Sequence, residues 1–255
     1  MDKKQQNNLI ARFLWILKHR PRQLYPAGRG YVLFHLARMA RILLPLEGVE
    51  LSENVRLQKN SSLMAESPDA TINIGANAII YEDARIESYG NGKISIGPSS
   101  IVGDAHIVSR FNIQIGARFL TSWNVFIQDY DSHPNTPELR KQQIENMVSS
   151  FRPNFGAKHA IPLVRTAWDY PGEAIVIGDD VWLGAGTTIL KGATIGSGSI
   201  VATGAVVLKG NYPALSLLAG NPAKVVKSLA VSQERQDNSE RINYYNQGQI
   251  IEHSL

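Results

Sequence analysis

The sequence runs to 255 residues, 44% hydrophobic and 19% charged, a composition that folds and that excludes a miniprotein, a collagen-like chain and wholesale disorder. It contains no cysteine, which removes disulfide frameworks, thiolate nucleophiles, thiolate zinc sites and iron–sulfur clusters from consideration. The net charge of +4 is uneven, because residues 1–45 hold nine Lys/Arg against Asp2 alone while the remainder is acidic.

Residues 1–50 are the first predicted segment. Two apolar, basic stretches, LIARFLWILKHR and YVLFHLARMARILL, read as helices on either side of a Pro/Gly loop from Pro21 to Gly30. No stretch approaches the roughly 18 uninterrupted apolar residues of a membrane span. The start has no small-residue cleavage site after its apolar part, so neither a span nor a signal peptide is expected and the compartment is read as cytoplasmic. A basic amphipathic stretch over residues 9–44 can lie on an anionic bilayer, which would place the protein at the inner face of the membrane. The competing reading, which we favour, is that Phe13, Leu14, Leu17, Leu36, Met39 and Leu43 cap the open end of the domain that follows.

Residues 51–228 carry a repeat. From Ile177 the chain divides into sixes: IGDDVW, LGAGTT, ILKGAT, IGSGSI, VATGAV, VLKGNY. Ile177, Leu183, Ile189, Ile195, Val201 and Val207 share one phase, and four residues after each come Val181, Thr187, Ala193, Ser199, Ala205 and Asn211, almost all small. A helix repeats at 3.6 residues and a strand at 2, so a strict period of six fits neither alone. It fits an all-β coil of short strands, a parallel β-helix in which each unit gives one strand and one tight turn and three units close a triangular turn of 18 residues. The phase recurs upstream with slips, in Ile74, Ile80, Ile86; Ile96, Val102, Val108; and Ile115, Thr121, Ile127. Residues 134–174 interrupt the coil with a long insertion whose middle, PELRKQQIENMVSSF, is helical by pattern. Residues 229–255 form a polar tail.

The run Ser132-His133-Pro134 with Glu138-Leu139-Arg140-Lys141, then IGDDVWLGAG, then AGNPAKVVK at 219–227, resembles the hexapeptide-repeat acetyltransferases, in particular galactoside, maltose and polysaccharide O-acetyltransferases. The resemblance covers roughly residues 70–228 and is weak for the acceptor. It implies a left-handed β-helix, an exception to the right-handed crossover rule, working as a homotrimer with acetyl-CoA in the groove between neighbouring prisms.

It also implies that His133 is the catalytic base. An acceptor hydroxyl is nearly inert at neutral pH, so a neutral imidazole must take its proton as it attacks the thioester. Asp131, two residues earlier, shares a strand parity with His133 and is a candidate to orient the ring, with Asp129 behind it. The resemblance places Trp182, Gly184, Ala185, Ala202, Thr203, Lys209, Asn221, Lys224 and Lys227 as cofactor contacts. Ala185 stands where the galactoside enzymes have Ser, and Lys224 and Lys227 where Arg is frequent, which weakens bidentate phosphate clamping. The oxyanion-stabilising Asn has no clean counterpart, Asn112 and Asn124 being candidates. Asn124, Arg140, Trp168 and Tyr170 are candidates for the acceptor wall.

No metal is expected. The architecture also supports a three-His zinc carbonic anhydrase, but the paired His five positions apart is absent, His106 and His133 are not separated by a multiple of 18, and His159 lies in the insertion. No nucleic acid is expected, because no stacking motif accompanies the charge. The sequence thus points to O-acetylation of a saccharide hydroxyl, on a bacterial surface polysaccharide such as capsule or O-antigen or on its precursor. N-acetylation of a nucleotide-linked amino sugar is the nearest alternative and acetylation of an antibiotic the next, with a non-catalytic β-helix scaffold as the alternative from a different class.

Overall fold

A hexad is too short to bury anything by itself, so its aliphatic residue is shielded only when successive coils stack it into a column. The structure, a computed structural model, describes residues 47–150 and 169–230. The two basic N-terminal stretches with their capping candidates, His159, Trp168 and the tail beyond Ala230 lie outside the described residues.

Among the described residues the strands stack in parallel as the three faces of a left-handed β-helix of seven coils. The first face is built from Val49–Leu51, Thr71–Ile74, Lys93–Ile96, Asn112–Ile115, Ile175–Ile177, Ala193–Ile195 and Gly210–Tyr212. The second runs through Arg56–Leu57, Ile79–Ile80, Ile101–Val102, Leu120–Thr121, Trp182–Leu183, Ile200–Val201 and Ser216–Gly220, and ends on Ala223–Ser228, which turns back antiparallel. The third contains Ser62–Ala65, Arg85–Ser88, Ala105–Ser109, Val125–Gln128, Thr188–Leu190 and Val206–Val207.

The register follows the hexads. Ile177 lies on Ile195, Leu183 on Val201 and Ile189 on Val207, all buried, and Val181, Thr187, Ala193, Ser199 and Ala205 are buried beside them. Burying each such aliphatic side chain is worth about 1.5–3 kcal/mol, which makes the column the main source of stability. Upstream, Ile74 and Ile80 stack on Ile96 and Val102 as the phase predicts, but Ile86 stacks on Ile107, not on Val108. The stretch between Val102 and Ile107 is one residue shorter than a hexad, so Val108 falls on the opposite parity, beside Glu87 and Gln128. The last hexad is short in the same way. Gly210 lies on Ala193 and Tyr212 on Ile195, so Asn211, expected at a small buried position, is exposed opposite Thr194.

The outer surfaces differ from face to face. The first face presents Asn73, Ser95, Gln114, Val176 and Thr194 in register. The second presents Ile79, Ile101, Leu120, Trp182, Ile200 and Leu217, an uninterrupted apolar ladder along the prism, with Trp182 47% exposed.

The insertion leaves the third face after Gln128 and returns to the first at Ile175. Its helix α1 (Pro137–Ser150) matches the expected span. Pro137 suits the first helical position, where its missing N–H has no intrahelical use, and Glu138 complements the positive end.

Candidate active site

The two arms of the insertion are joined where they meet the prism. Asp131 N–H donates to Pro171 O at 2.9 Å, Glu173 N–H donates to Asp129 O at 2.9 Å, and Tyr130 bridges Gly172 antiparallel between them. A Cβ at Gly172 would lie 2.8 Å from Phe111 Cβ and 3.0 Å from Asp129 O, so only glycine lets the returning arm lie this close. Below the neck Asp129 is wholly buried. It accepts hydrogen bonds from Ser109 Oγ at 2.6 Å, Arg110 N–H at 2.9 Å and Phe111 N–H at 3.1 Å, so this carboxylate organises the coil corner on which the neck rests. Burial pushes its carboxyl above the ordinary range, against the downward pull of those donors.

His133 is exposed beyond the neck, and its Nδ1 lies 2.8 Å from Gln143 Oε1 on α1. Gln143 Nε2 lies 3.3 Å from Ser132 O. A carbonyl only accepts, so the amide NH2 must face Ser132 and the amide oxygen must face the ring. The imidazole nitrogen opposite that oxygen must then donate. In the neutral ring this puts the proton on Nδ1 and leaves the lone pair on Nε2, the tautomer a general base requires. Gln128 Nε2 donates to Tyr130 O at 2.8 Å and Ser132 Oγ at 2.7 Å, which fixes the approach to His133 from the prism side. Arg140 donates to Pro134 O at 2.8 Å and to Asn135 O at 3.3 Å, so it braces the start of the insertion.

Asp131, the expected orienting carboxylate, accepts from Lys191 Nζ at 2.6 Å, and the side chain on His133 Nδ1 is Gln143. A cavity of about 260 Å³ opens here, lined by Gln128, Tyr130, Asp131, Leu190, Lys191, Leu208 and Lys209. Lys209 reaches Glu173 Oε2 at 2.5 Å. Tyr170 packs edge to face on Tyr130 with ring centroids 5.8 Å apart.

The other expected cofactor contacts lie at a different edge. Trp182 opens its short strand on the second face, and Gly184, Ala185, Ala202 and Thr203 turn the corner towards the third, Gly204 N–H donating to Ala185 O at 2.8 Å. Asn124 turns the same corner with φ 57°. Asn221, joined to Pro222 by a cis peptide bond, lies between the last two strands, where Lys224 faces Ala219 and Lys227 faces Leu217. Asn112 opens a first-face strand on the neck's edge. Within one chain the third-face strands therefore run between the neck's edge, with Asp131, Lys209 and Asn112, and the corner that carries Gly184, Ala185, Ala202, Thr203 and Asn124, while Trp182 stands on the second face. Among the described residues no three His, Asp or Glu gather as a metal site, and His106 Nε2 lies 3.3 Å from Glu87 Oε2 on the third face.

Sequence reasoning missed Gln143, Gln128 and Lys191. Lys191 is the one with a signal, since it shares its hexad position with Lys209, whereas Gln143 meets His133 only through the path of the insertion.

The family described as bacterial transferase hexapeptide, with six repeats, matches residues 174–209. The Escherichia coli K12 protein WbbJ, by inference a lipopolysaccharide biosynthesis O-acetyl transferase, is 32% identical over 160 residues, which are 62% of this chain and 72% of WbbJ. Among solved structures, a maltose O-acetyltransferase from Clostridium difficile 630 is 19% identical with 90% of each chain covered and a TM-score of 0.46. A hexapeptide-repeat acetyltransferase from Vibrio cholerae O1 biovar eltor, solved with acetyl coenzyme A, is 20% identical over 87% of this chain and 85% of that one, with a TM-score of 0.47. The chain belongs to the hexapeptide-repeat transferase family and is an acyltransferase.

Proposed function

We propose that the protein transfers an acetyl group from acetyl-CoA to a hydroxyl of a saccharide, on a bacterial surface polysaccharide such as O-antigen or capsule or on its precursor. The O-acetyl transfer assigned to WbbJ, with which the chain shares 32% identity, supports the reaction class and the lipopolysaccharide setting. The observation that carries the catalytic reading is the Ser132–Gln143–His133 chain, which leaves Nε2 of the neutral ring as the basic atom. Nε2 takes the hydroxyl proton as the oxygen attacks the thioester carbonyl, and the tetrahedral adduct collapses with loss of the CoA thiolate, which the imidazolium reprotonates. No covalent enzyme intermediate is needed, in keeping with a chain that lacks cysteine.

Acetyl-CoA fits along the edge between the second and third faces. Gly184, Ala185, Ala202 and Thr203 place small residues on successive coils about 4.8 Å apart, a narrow track suited to an extended pantetheine arm. Trp182 would flank it, and Lys224 and Lys227 would meet the phosphates near Asn221. The acceptor would enter the cavity at the neck, with Arg140 and Tyr170 as further contacts from the insertion and Asn112 or Asn124 near the oxyanion. Because one chain keeps the track and His133 apart, the working unit in this reading is a homotrimer in which one copy's base serves its neighbour's track. The apolar ladder of the second face supports this, since its half-buried side chains and the exposed Leu120 and Trp182 at its centre suit a contact surface.

The test is acetyl-CoA-dependent thiol release over a panel of nucleotide sugars, free glycosides and deacetylated surface polysaccharide. One acceptor should turn over, and His133→Ala should lower that rate by about 100-fold or more. Full activity in the variant would remove His133 from the mechanism. A product resistant to hydroxylamine would be an amide, in favour of amino-sugar N-acetylation, and failure to bind CoA would leave a scaffold.

A further inference from the structure

Arg110 follows the third-face strand Ala105–Ser109, on the corner that supports the neck. Its guanidinium carbon lies 3.8 Å from the ring centroid of Tyr170, 5.1 Å from that of Tyr89 and 5.5 Å from that of Tyr130. Tyr89 belongs to the coil beneath, Tyr130 to the outgoing arm of the insertion and Tyr170 to the returning arm. Arginine suits such a place because its planar cation stacks on ring faces, which a compact ammonium does less well.

Two features show that the arrangement is kept against local cost. Arg110 Nε is buried with no hydrogen-bond acceptor among the described residues, although buried polar groups are nearly always paired. Tyr170 has φ 49°, in the left-handed region that bulky side chains avoid. Gln128 and Lys191 also tie the insertion to the prism, but both hold the outgoing arm alone, through Ser132 and Asp131. Arg110 contacts a ring from each arm.

We infer that Arg110 is a positioning residue: by stacking both arms of the insertion on one buried-edge guanidinium, it sets where His133 stands over the prism. The catalytic consequence rests on His133 being the base proposed above, whereas the mechanical consequence does not. His133 follows Tyr130 by three residues, and its partner Gln143 belongs to the same insertion, so the imidazole and its orienting amide move together with the neck. Loosening Arg110 would leave the His133–Gln143 bond intact while displacing the pair from the acyl donor. A displaced base lowers turnover without weakening donor binding.

The test uses the full-length protein with Arg110→Met, which keeps much of the bulk and removes the cation, and Arg110→Lys, which keeps the charge without the planar face. The acceptor-independent readout is the rate of diethyl pyrocarbonate modification of His133, followed by peptide mass spectrometry and divided by that of His106 on the prism. We expect Arg110→Met to change this ratio about 5-fold or more and to speed tryptic cleavage after Arg140 and Lys141, with Arg110→Lys in between. In thiol release from acetyl-CoA, with deacetylated O-antigen as the acceptor probe, kcat should fall about 10- to 100-fold in Arg110→Met while the KM for acetyl-CoA stays within about twofold. A wild-type modification ratio and cleavage rate in Arg110→Met would overturn the inference, as would a fall in activity confined to the KM for acetyl-CoA. If Arg110→Met does not fold, Tyr170→Ala removes the closest ring from the other side of the stack and must give the same changes, or the inference fails. If the wild type shows no transfer, the proposed function falls, and the modification and cleavage rates still decide whether Arg110 sets the insertion.

Discussion

Gln143 fixes the proton on His133, because its amide NH2 is committed to Ser132 O at 3.3 Å and its oxygen therefore faces Nδ1 at 2.8 Å. This amide does for the ring what a carboxylate does in many His sites, without adding a negative charge beside the imidazole. Gln143→Leu should leave His133 in place but free to rotate and exchange tautomers. We expect kcat to fall about 10-fold with the KM for acetyl-CoA unchanged, as measured by thiol release in parallel with His133→Ala. A variant with wild-type kcat would show that the ring is oriented by something else.

Asp129 lies wholly buried beneath the neck with its carboxyl pushed up by desolvation. A carboxyl whose folded pKa exceeds its unfolded value binds more protons in the native state between the two values, so its contribution to stability declines as pH rises through that window. Asp129→Asn replaces a group that accepts from Ser109, Arg110 and Phe111 with one that carries its own donors, and should cost about 1–3 kcal/mol. Urea unfolding across mildly acidic to neutral pH should show the gap between wild type and variant narrowing as pH rises. A gap that widens would reverse the sign assigned to Asp129.

The apolar ladder of the second face gives a test of assembly. Ile200 stacks in register between Trp182 and Leu217, so Ile200→Lys places a charge in the middle of the strip without touching the column of inward side chains. Size-exclusion chromatography with light scattering should show the wild type as a trimer and the variant as a smaller species with an unchanged β-rich circular dichroism spectrum. A variant that stays trimeric would move the contact to another face.

Much of the fold was legible because its core repeats. Once Ile177, Leu183 and Ile189 share a phase, their partners eighteen residues on are determined by stacking, and the structure pairs them so. What the period could not supply was the length of each corner. Turns facing solvent gain or lose a residue at little cost, which is how Ile107 displaces Val108 from the column and Tyr212 arrives a residue early. The candidate site was legible only where chemistry is local in sequence. His133 stands beside a proline at the start of an interruption, a pattern that family resemblance picks out. Gln143, Gln128 and Arg110 reach it through the path of the insertion and the stacking of coils, and each by itself reads as an ordinary surface residue, while Lys191 repeats the hexad position of Lys209 without pointing to its partner Asp131. Asp131 has the parity of His133, and its carboxylate accepts from Lys191 on the prism, a partner that parity does not supply.

The closed neck has a consequence for how such a protein can change. Ile113 and Ile115 lie directly on Ile175 and Ile177, although the whole insertion separates them in the chain, so the prism reads across the gap as if nothing were inserted. The excursion is therefore a cartridge. Replacing residues 132–170 with a short turn should leave a stacked prism that melts cooperatively and has lost His133. Grafting a different excursion between Asp131 and Pro171 would exchange His133 and the proposed acceptor surface together while leaving Gly184, Ala185, Ala202 and Thr203 at the other edge unchanged.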